Sequence, residues 1–99
     1  DDLADACLFL MHEYDEPEIV NIGVGKDLSI AELAGIVCDV VGFEGEIVYD
    51  ASKPDGTPRK LVDTSKINGL GWHAKTALPE GIENTYRWFL DNVENLRGL

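Results

Sequence analysis

Residues 29–42 read SIAELAGIVCDVVG and contain the clearest secondary-structure signals of the chain. Ser29 and Glu32 have the spacing of a capping box, in which each side chain bonds the backbone amide of the other at the start of a helix. Gly42 suits the left-handed residue that often ends a helix. Between these ends the apolar residues recur at helical spacing, namely Leu33, Ile36, Val37, Val40 and Val41. The stretch therefore predicts an amphipathic helix with one buried face.

Outward from this helix, the pattern predicts three further helical segments and two short strands. The first helix begins at Asp1 or Asp2, and its predicted buried face comprises Leu3, Cys7, Leu10, Met11 and Tyr14. The β-rich runs 19–23 and 46–49 predict strands. A short helical turn capped by residues 63–65 and a last helix from near Thr76 follow. We therefore predict an α/β fold in which helices pack on a short sheet, within one small domain.

The composition limits the classes of partner. The chain has 99 residues and a formal net charge of −11. Nucleic-acid binding needs a broad basic face, so neither nucleic acid nor an anionic membrane surface is an expected partner. No apolar run is long enough to span a bilayer. Because the chain begins with Asp1 rather than Met and enters a helical pattern at once, we expect it to be one piece of a longer protein.

Two cysteines and two tryptophans lie among apolar residues. Cys7 and Cys38 both fall in predicted helices, which predicts buried, reduced thiols and a cytoplasmic location. Trp72 and Trp88 are predicted core or interface residues, with Trp88 packing against the sheet. None of the four is predicted to bind a metal or a nucleotide base.

A basic loop stands out in this acidic chain. Residues 52–60 read SKPDGTPRK and hold three of the eight basic side chains. Proline and glycine in this loop favour a stiff turn, which presents charges at low entropic cost. Two interpretations stay open: a solvated turn, or an anion site in which Arg59 and Lys60 bind phosphate while Asp55 accepts hydrogen bonds from sugar hydroxyls.

Other motifs carry less weight. Gly23-Val24-Gly25 follows a predicted strand, but the third glycine of a dinucleotide fingerprint is missing, which favours a structural turn. No serine has the surroundings of a nucleophile elbow. The Cys and His residues lack metal-ligand spacing, so no metal site is predicted.

Several segments resemble the C-terminal half of extended short-chain dehydrogenases that act on nucleotide sugars. The resemblance is carried by Asp1–Ala4, Asn21–Gly25, Ser29–Leu33, Lys66–Trp72, Leu78–Ile82 and Trp88-Phe89. Residues 49–61, YDASKPDGTPRKL, are similar to members that epimerise and reduce GDP-4-keto-6-deoxy-D-mannose with NADPH. The resemblance implies that residues 1–99 are a nucleotide-sugar-binding domain. It also implies that an N-terminal NADP-binding Rossmann domain, absent from this chain, is its partner in a homodimeric parent enzyme.

The resemblance also implies roles for single residues. Asp55 corresponds to a residue that contacts the substrate, and Lys60 to one beside the GDP diphosphate. Arg59 and Lys53 are further substrate-binding candidates from the same loop. Reduction in that family needs a Tyr-x-x-x-Lys pair, and none of Tyr14, Tyr49 and Tyr86 is nominated for it. Epimerisation needs a Cys and a His, and neither cysteine of the chain matches that cysteine. The chain alone is therefore expected to bind substrate without catalysing the reaction.

Two alternatives remain at this point. The chain could belong to another nucleotide-sugar epimerase or dehydratase. Equal perturbation of the basic loop by GDP-mannose and UDP-galactose analogues would favour this alternative. It could instead be a small acidic interaction module, in keeping with its charge of −11. As a piece of a larger enzyme, it is expected to expose apolar surface and to self-associate.

Overall fold

The computed structural model describes residues 1–96 and divides the chain into two compact units. Unit 1 comprises Asp1–Asp27 and Ser52–Lys75. Unit 2 comprises Leu28–Ala51 together with the described residues from Thr76 onward. Each unit thus combines two stretches that are distant in the sequence.

Four α-helices lie within the described residues. They are α1 (Asp2–Glu13), α2 (Ile30–Val41), α3 (Ser65–Leu70) and α4 (Leu78–Asn92), the last continued by a 3-10 turn over Val93–Asn95. None of these helices combines the length and the apolar character that crossing a membrane requires.

The core of unit 1 is small and joins α1, α3 and the segment after α3. Ala6 and Ile67 are fully buried, and Trp72 retains 4% exposure. Partly buried side chains surround them, namely Phe9, Leu10, Val20, Ile22 and Ala74. The prediction that Trp72 is a core residue is confirmed.

The buried face of α1 differs from the predicted one. Leu3 and Met11 are 63% and 79% exposed, and Cys7 is an exposed free thiol. The face that packs contains the buried Ala6 together with Leu10, which is partly buried and belongs to the predicted face. Both faces have helical spacing, and the small side chain of Ala6 allows Ile67 and Trp72 to approach closely. The prediction of a buried Cys7 is therefore wrong.

Unit 2 confirms the predicted ends of α2 and the proline in the first turn of α4, but not the predicted buried face of α2. The Glu32 amide donates to the Ser29 hydroxyl at 3.0 Å, the Ser29 amide donates to Glu32 at 3.3 Å, and Gly42 ends α2 with φ of 75°. Proline occupies the first turn of α4. The two helices pack against each other. Neither contains a fully buried residue, and Trp88 is 56% exposed, contrary to its predicted packing.

The predicted short sheet is wrong, since residues 1–96 contain no strand. A strand is defined by ladder hydrogen bonds to a neighbour, and within the described residues neither predicted run forms them. Residues 19–23 belong to unit 1 and residues 46–49 to unit 2. Side-chain hydrogen bonds hold the first run and the residue before it in place. Tyr14 donates to the Glu18 carbonyl at 2.9 Å, and Asn21 donates to the Asp63 carbonyl at 3.4 Å.

Candidate functional site

The basic loop of residues 52–60 belongs to unit 1 and contains neither helix nor strand. Lys53, Asp55 and Lys60 are exposed. None of these three side chains forms a hydrogen bond or an ion pair with another described residue. Two ammonium groups and one carboxylate are therefore accessible to a ligand.

Arg59 differs from its neighbours because its guanidinium is already engaged. Its Nε donates to Asp27 Oδ2 at 2.6 Å, and its Nη2 donates to Asp27 Oδ1 at 3.1 Å. The hydrogen bond from Arg59 and its positive charge hold the pKa of Asp27 below its usual range. Hydrogen bonding to Asp27 likewise raises the pKa of Arg59. Both groups therefore stay charged at neutral pH.

A groove of about 560 Å³ is formed by residues that follow the loop together with residues near Gly25. It is lined by Val24, Gly25, residues 61–65 and Asn68. Leu61 and Val62 are 44% and 43% exposed, so the lining combines apolar surface with hydroxyl, amide and carboxylate groups. The groove therefore offers hydrogen-bonding groups beside apolar surface.

The polar lining of the groove is organised by short hydrogen bonds. Asp63 Oδ1 accepts from the Ser65 amide at 2.9 Å and from the Ser65 hydroxyl at 2.6 Å, which holds the pKa of Asp63 below its usual range. Asp63 thus satisfies the first amide of α3. The side-chain amide of Asn68 donates to the Thr64 hydroxyl at 3.1 Å, and Thr64 is 4% exposed.

Gly25 allows the close approach of the two stretches that line the groove. Its φ is 90°, a conformation that favours glycine. A Cβ atom at this position would lie 2.8 Å from the Thr64 hydroxyl oxygen. The Gly-Val-Gly turn therefore has the structural role that the sequence favoured.

The structure sorts the four predicted site residues into two groups. Lys53, Asp55 and Lys60 project from the loop without described partners, whereas Arg59 is bound to Asp27. Within residues 1–96, no hydrogen bond or ion pair joins these four residues to one another. Sequence reasoning missed Asp27, because nothing near it in the sequence indicates a partner 32 residues away.

One tyrosine of the chain does have a lysine four residues later. The Tyr-x-x-x-Lys spacing of the family's reductase pair occurs at Tyr49 and Lys53. That spacing brings two side chains to one face when the residues are helical. Residues 46–53 contain no helix, and Tyr49 is 67% exposed. The helical arrangement that the motif requires is thus absent at this position.

The exposed side chains of the basic loop include two ammonium groups and one carboxylate. Within residues 1–96, no group of three or more His, Cys, Asp or Glu side chains could hold a metal ion. Ammonium groups bind phosphate oxygens through charge-assisted hydrogen bonds, and carboxylates accept from hydroxyls.

Comparison with solved structures identifies the class of protein that this chain resembles. A GDP-6-OMe-4-keto-L-xylo-heptose reductase from C. jejuni has a TM-score of 0.82 and 40% identity, over 93% of this chain and 29% of that one. A GDP-mannoheptose C4 reductase from Campylobacter jejuni, solved with NADP bound, has a TM-score of 0.78 and 41% identity, over 91% of this chain and 29% of that one. The chain therefore shares its fold with a segment of GDP-sugar reductases.

Comparison with curated proteins makes the resemblance more particular. GDP-L-fucose synthase 1 of Arabidopsis thaliana is 56% identical over 95 residues, which are 96% of this chain and 29% of that protein. The resemblance drawn from the sequence is thus confirmed: the chain is similar to GDP-L-fucose synthases over nearly its whole length. It spans less than a third of this relative's length. No protein-family model matches the chain.

Proposed function

We propose that this chain is the C-terminal, nucleotide-sugar-binding domain of a GDP-L-fucose synthase. The similarity to GDP-L-fucose synthase 1 and to GDP-sugar reductases supports a GDP-sugar as the ligand. The observation that carries the proposal is the exposed loop 52–60, whose Lys53 and Lys60 have no described partner.

Each loop residue has a distinct proposed role. Lys60, assisted by Lys53, binds the diphosphate of GDP, because an ammonium group makes charge-assisted hydrogen bonds to phosphate oxygens. Asp55 accepts hydrogen bonds from sugar hydroxyls, which a carboxylate can do with both oxygens. A local cluster of cations also explains how a chain with a net charge of −11 can bind an anion.

The complete enzyme is proposed to epimerise GDP-4-keto-6-deoxy-D-mannose at C3 and C5 and to reduce it with NADPH to GDP-L-fucose. NADP(H) binding and catalysis are assigned to a Rossmann domain outside this chain, and no catalytic residue is assigned within it. The parent is proposed to be a homodimer. A cytoplasmic location is also proposed, and the free thiols of Cys7 and Cys38 support it, since disulfides are rare there.

A second candidate differs in the sugar and keeps the nucleotide. The two solved relatives act on GDP-heptoses, which favours reduction of a different 4-keto sugar as the alternative. Assaying the full-length parent with GDP-4-keto-6-deoxy-D-mannose and with a GDP-4-keto-heptose distinguishes the two. Turnover of the heptose alone would transfer the assignment to a heptose reductase.

GDP binding to this chain can be tested by NMR titration. The amides of residues 52–62 are expected to shift, and Lys60→Ala should weaken binding about tenfold, because one charge-assisted contact is lost. Arg87→Ala removes the same unit of charge from an exposed pair on α4 and should leave the affinity unchanged. Equal weakening by both variants, or no shift at millimolar GDP, would count against the site.

A further inference from the structure

The pair between Arg59 and Asp27 joins two loops that have no helix or strand of their own. Residues 23–27 precede the capping box of α2, and residues 52–60 form the basic loop. Two hydrogen bonds of 2.6 and 3.1 Å connect both oxygens of the carboxylate to two nitrogens of the guanidinium. Such a two-point contact fixes orientation as well as distance, since the guanidinium is a rigid planar fork.

This pair attaches residues 53–60 of the basic loop to a stretch that lies before α2 in the sequence. Arg59 makes both of the side-chain hydrogen bonds that connect residues 53–60 to other described residues. Lys60 follows Arg59 directly, so fixing the Arg59 side chain restricts the backbone that carries Lys60. A restricted loop loses less conformational entropy when it binds a ligand.

The pair also determines which loop charges an anion encounters. The charge of Arg59 is compensated by Asp27 at hydrogen-bond distance, whereas Lys53 and Lys60 have no described counterion. A phosphate that approached Arg59 would also approach the Asp27 carboxylate, which would repel it.

From this geometry we infer that Arg59 is a positioning residue, held by Asp27, that orders the basic loop and places Lys60 for the GDP diphosphate. The inference rests on the proposed function for the identity of the ligand. It revises the sequence-based interpretation of Arg59 as a phosphate ligand. Because the Arg59 side chain is 69% exposed, the pair is solvent-screened, and its effect on loop order must be measured directly.

Replacing Asp27 distinguishes a positioning role of Arg59 from a phosphate-binding role, because the two roles predict different changes in GDP affinity. If Arg59 positions the loop, Asp27→Asn should increase the backbone mobility of residues 53–61 in ¹⁵N relaxation. It should also weaken GDP binding about two- to fivefold, the equivalent of an exposed pair. If Arg59 is a phosphate ligand, the same change frees it, and GDP binding stays equal or tightens. The exposed Asp39→Asn on α2 is the matched control.

A charge exchange provides the second test. Asp27→Arg and Arg59→Asp should each loosen the loop and weaken GDP binding, whereas the double variant should restore both by reforming the pair in reverse. Restored loop order with GDP binding as weak as in Arg59→Asp would overturn the inference, because position 59 would then need a cation for the ligand itself.

The relaxation measurement keeps the inference separate from the proposed function. Should GDP fail to bind the unmodified chain, the proposed ligand is wrong, while the mobility of residues 53–61 still reports on the pair. Unchanged mobility in Asp27→Asn and in both single charge reversals would overturn the positioning role whatever the ligand is.

Discussion

Unit 1 contains three buried apolar side chains, and several of its side-chain hydrogen bonds join residues that are distant in the sequence. The side-chain hydrogen bonds of the two helices in unit 2 join residues that are close in the sequence. In unit 1, the Trp72 indole donates to Asp5 at 2.9 Å, and the Lys75 amide donates to Asp2 at 3.1 Å. In unit 2, the capping box of α2 and the Arg87 to Glu83 pair of α4 join residues three or four apart.

The difference shows where the candidate site obtains its geometry. The basic loop and the groove both lie in unit 1, and contacts between stretches far apart in sequence define them. Precise placement of a charged group requires supporting contacts of this kind. Unit 2 offers well-defined helix ends instead, and its helices keep much of their apolar surface exposed, Trp88 included.

The largest expected effect concerns the core of unit 1. Ile67→Ala should lower the free energy of unfolding by about 3 kcal/mol, because it leaves a cavity in the buried cluster. Urea unfolding followed by circular dichroism measures the change. Val37→Ala on α2 is the comparison, since Val37 is 38% exposed and should cost less than about 1 kcal/mol. Equal costs would mean that the two units do not differ in burial.

A second, smaller effect concerns the charged hydrogen bond of unit 1. The Trp72 indole and then Lys75 hold the pKa of Asp5 below its usual range. A carboxylate with a lowered folded pKa stabilises the protein above its unfolded pKa of about 4, and that stabilisation is lost as the pH falls through the folded pKa. Trp72→Phe removes the first cause, so stability should fall less on acidification than in the unmodified chain.

Urea midpoints at neutral and acidic pH, followed by circular dichroism, measure this pH dependence. Trp88→Phe is the matched control, because Trp88 is exposed on α4 and its indole has no described partner. The proposed role of the indole fails if both phenylalanine variants retain the full acid sensitivity.

The sequence predicts those parts of the fold whose signals lie within a few residues of each other. The start and end of α2 were predicted because the capping box and Gly42 belong to one short stretch. The face of α1 was predicted only in part. Leu10 packs as expected, but Leu3 and Met11 are exposed although they are as apolar as the buried Ala6. The contact of Ala6 with Ile67, far along the chain, is not visible in the local pattern. The prediction of two strands was wrong for a related reason, since a strand depends on a partner that local patterns do not specify.

The candidate site follows the same rule. The cations of the basic loop were recognised from composition, because charge is a property of the residues themselves. The pairing of Arg59 with Asp27 was not, since it brings together residues 32 positions apart. The groove was also missed, because its lining comes from two stretches that meet through folding.

The smallest expected effect tests the local signal of unit 2. Ser29→Ala should lower the free energy of unfolding by about 1 kcal/mol, because the Glu32 amide loses its hydrogen-bond acceptor. Ser29→Asp keeps a good acceptor at the N-cap and should stay close to the unmodified chain. Urea unfolding followed by the helical circular dichroism signal measures both. A loss in Ser29→Ala as large as that in Ile67→Ala would show that helix capping, rather than the core of unit 1, limits the stability of the chain.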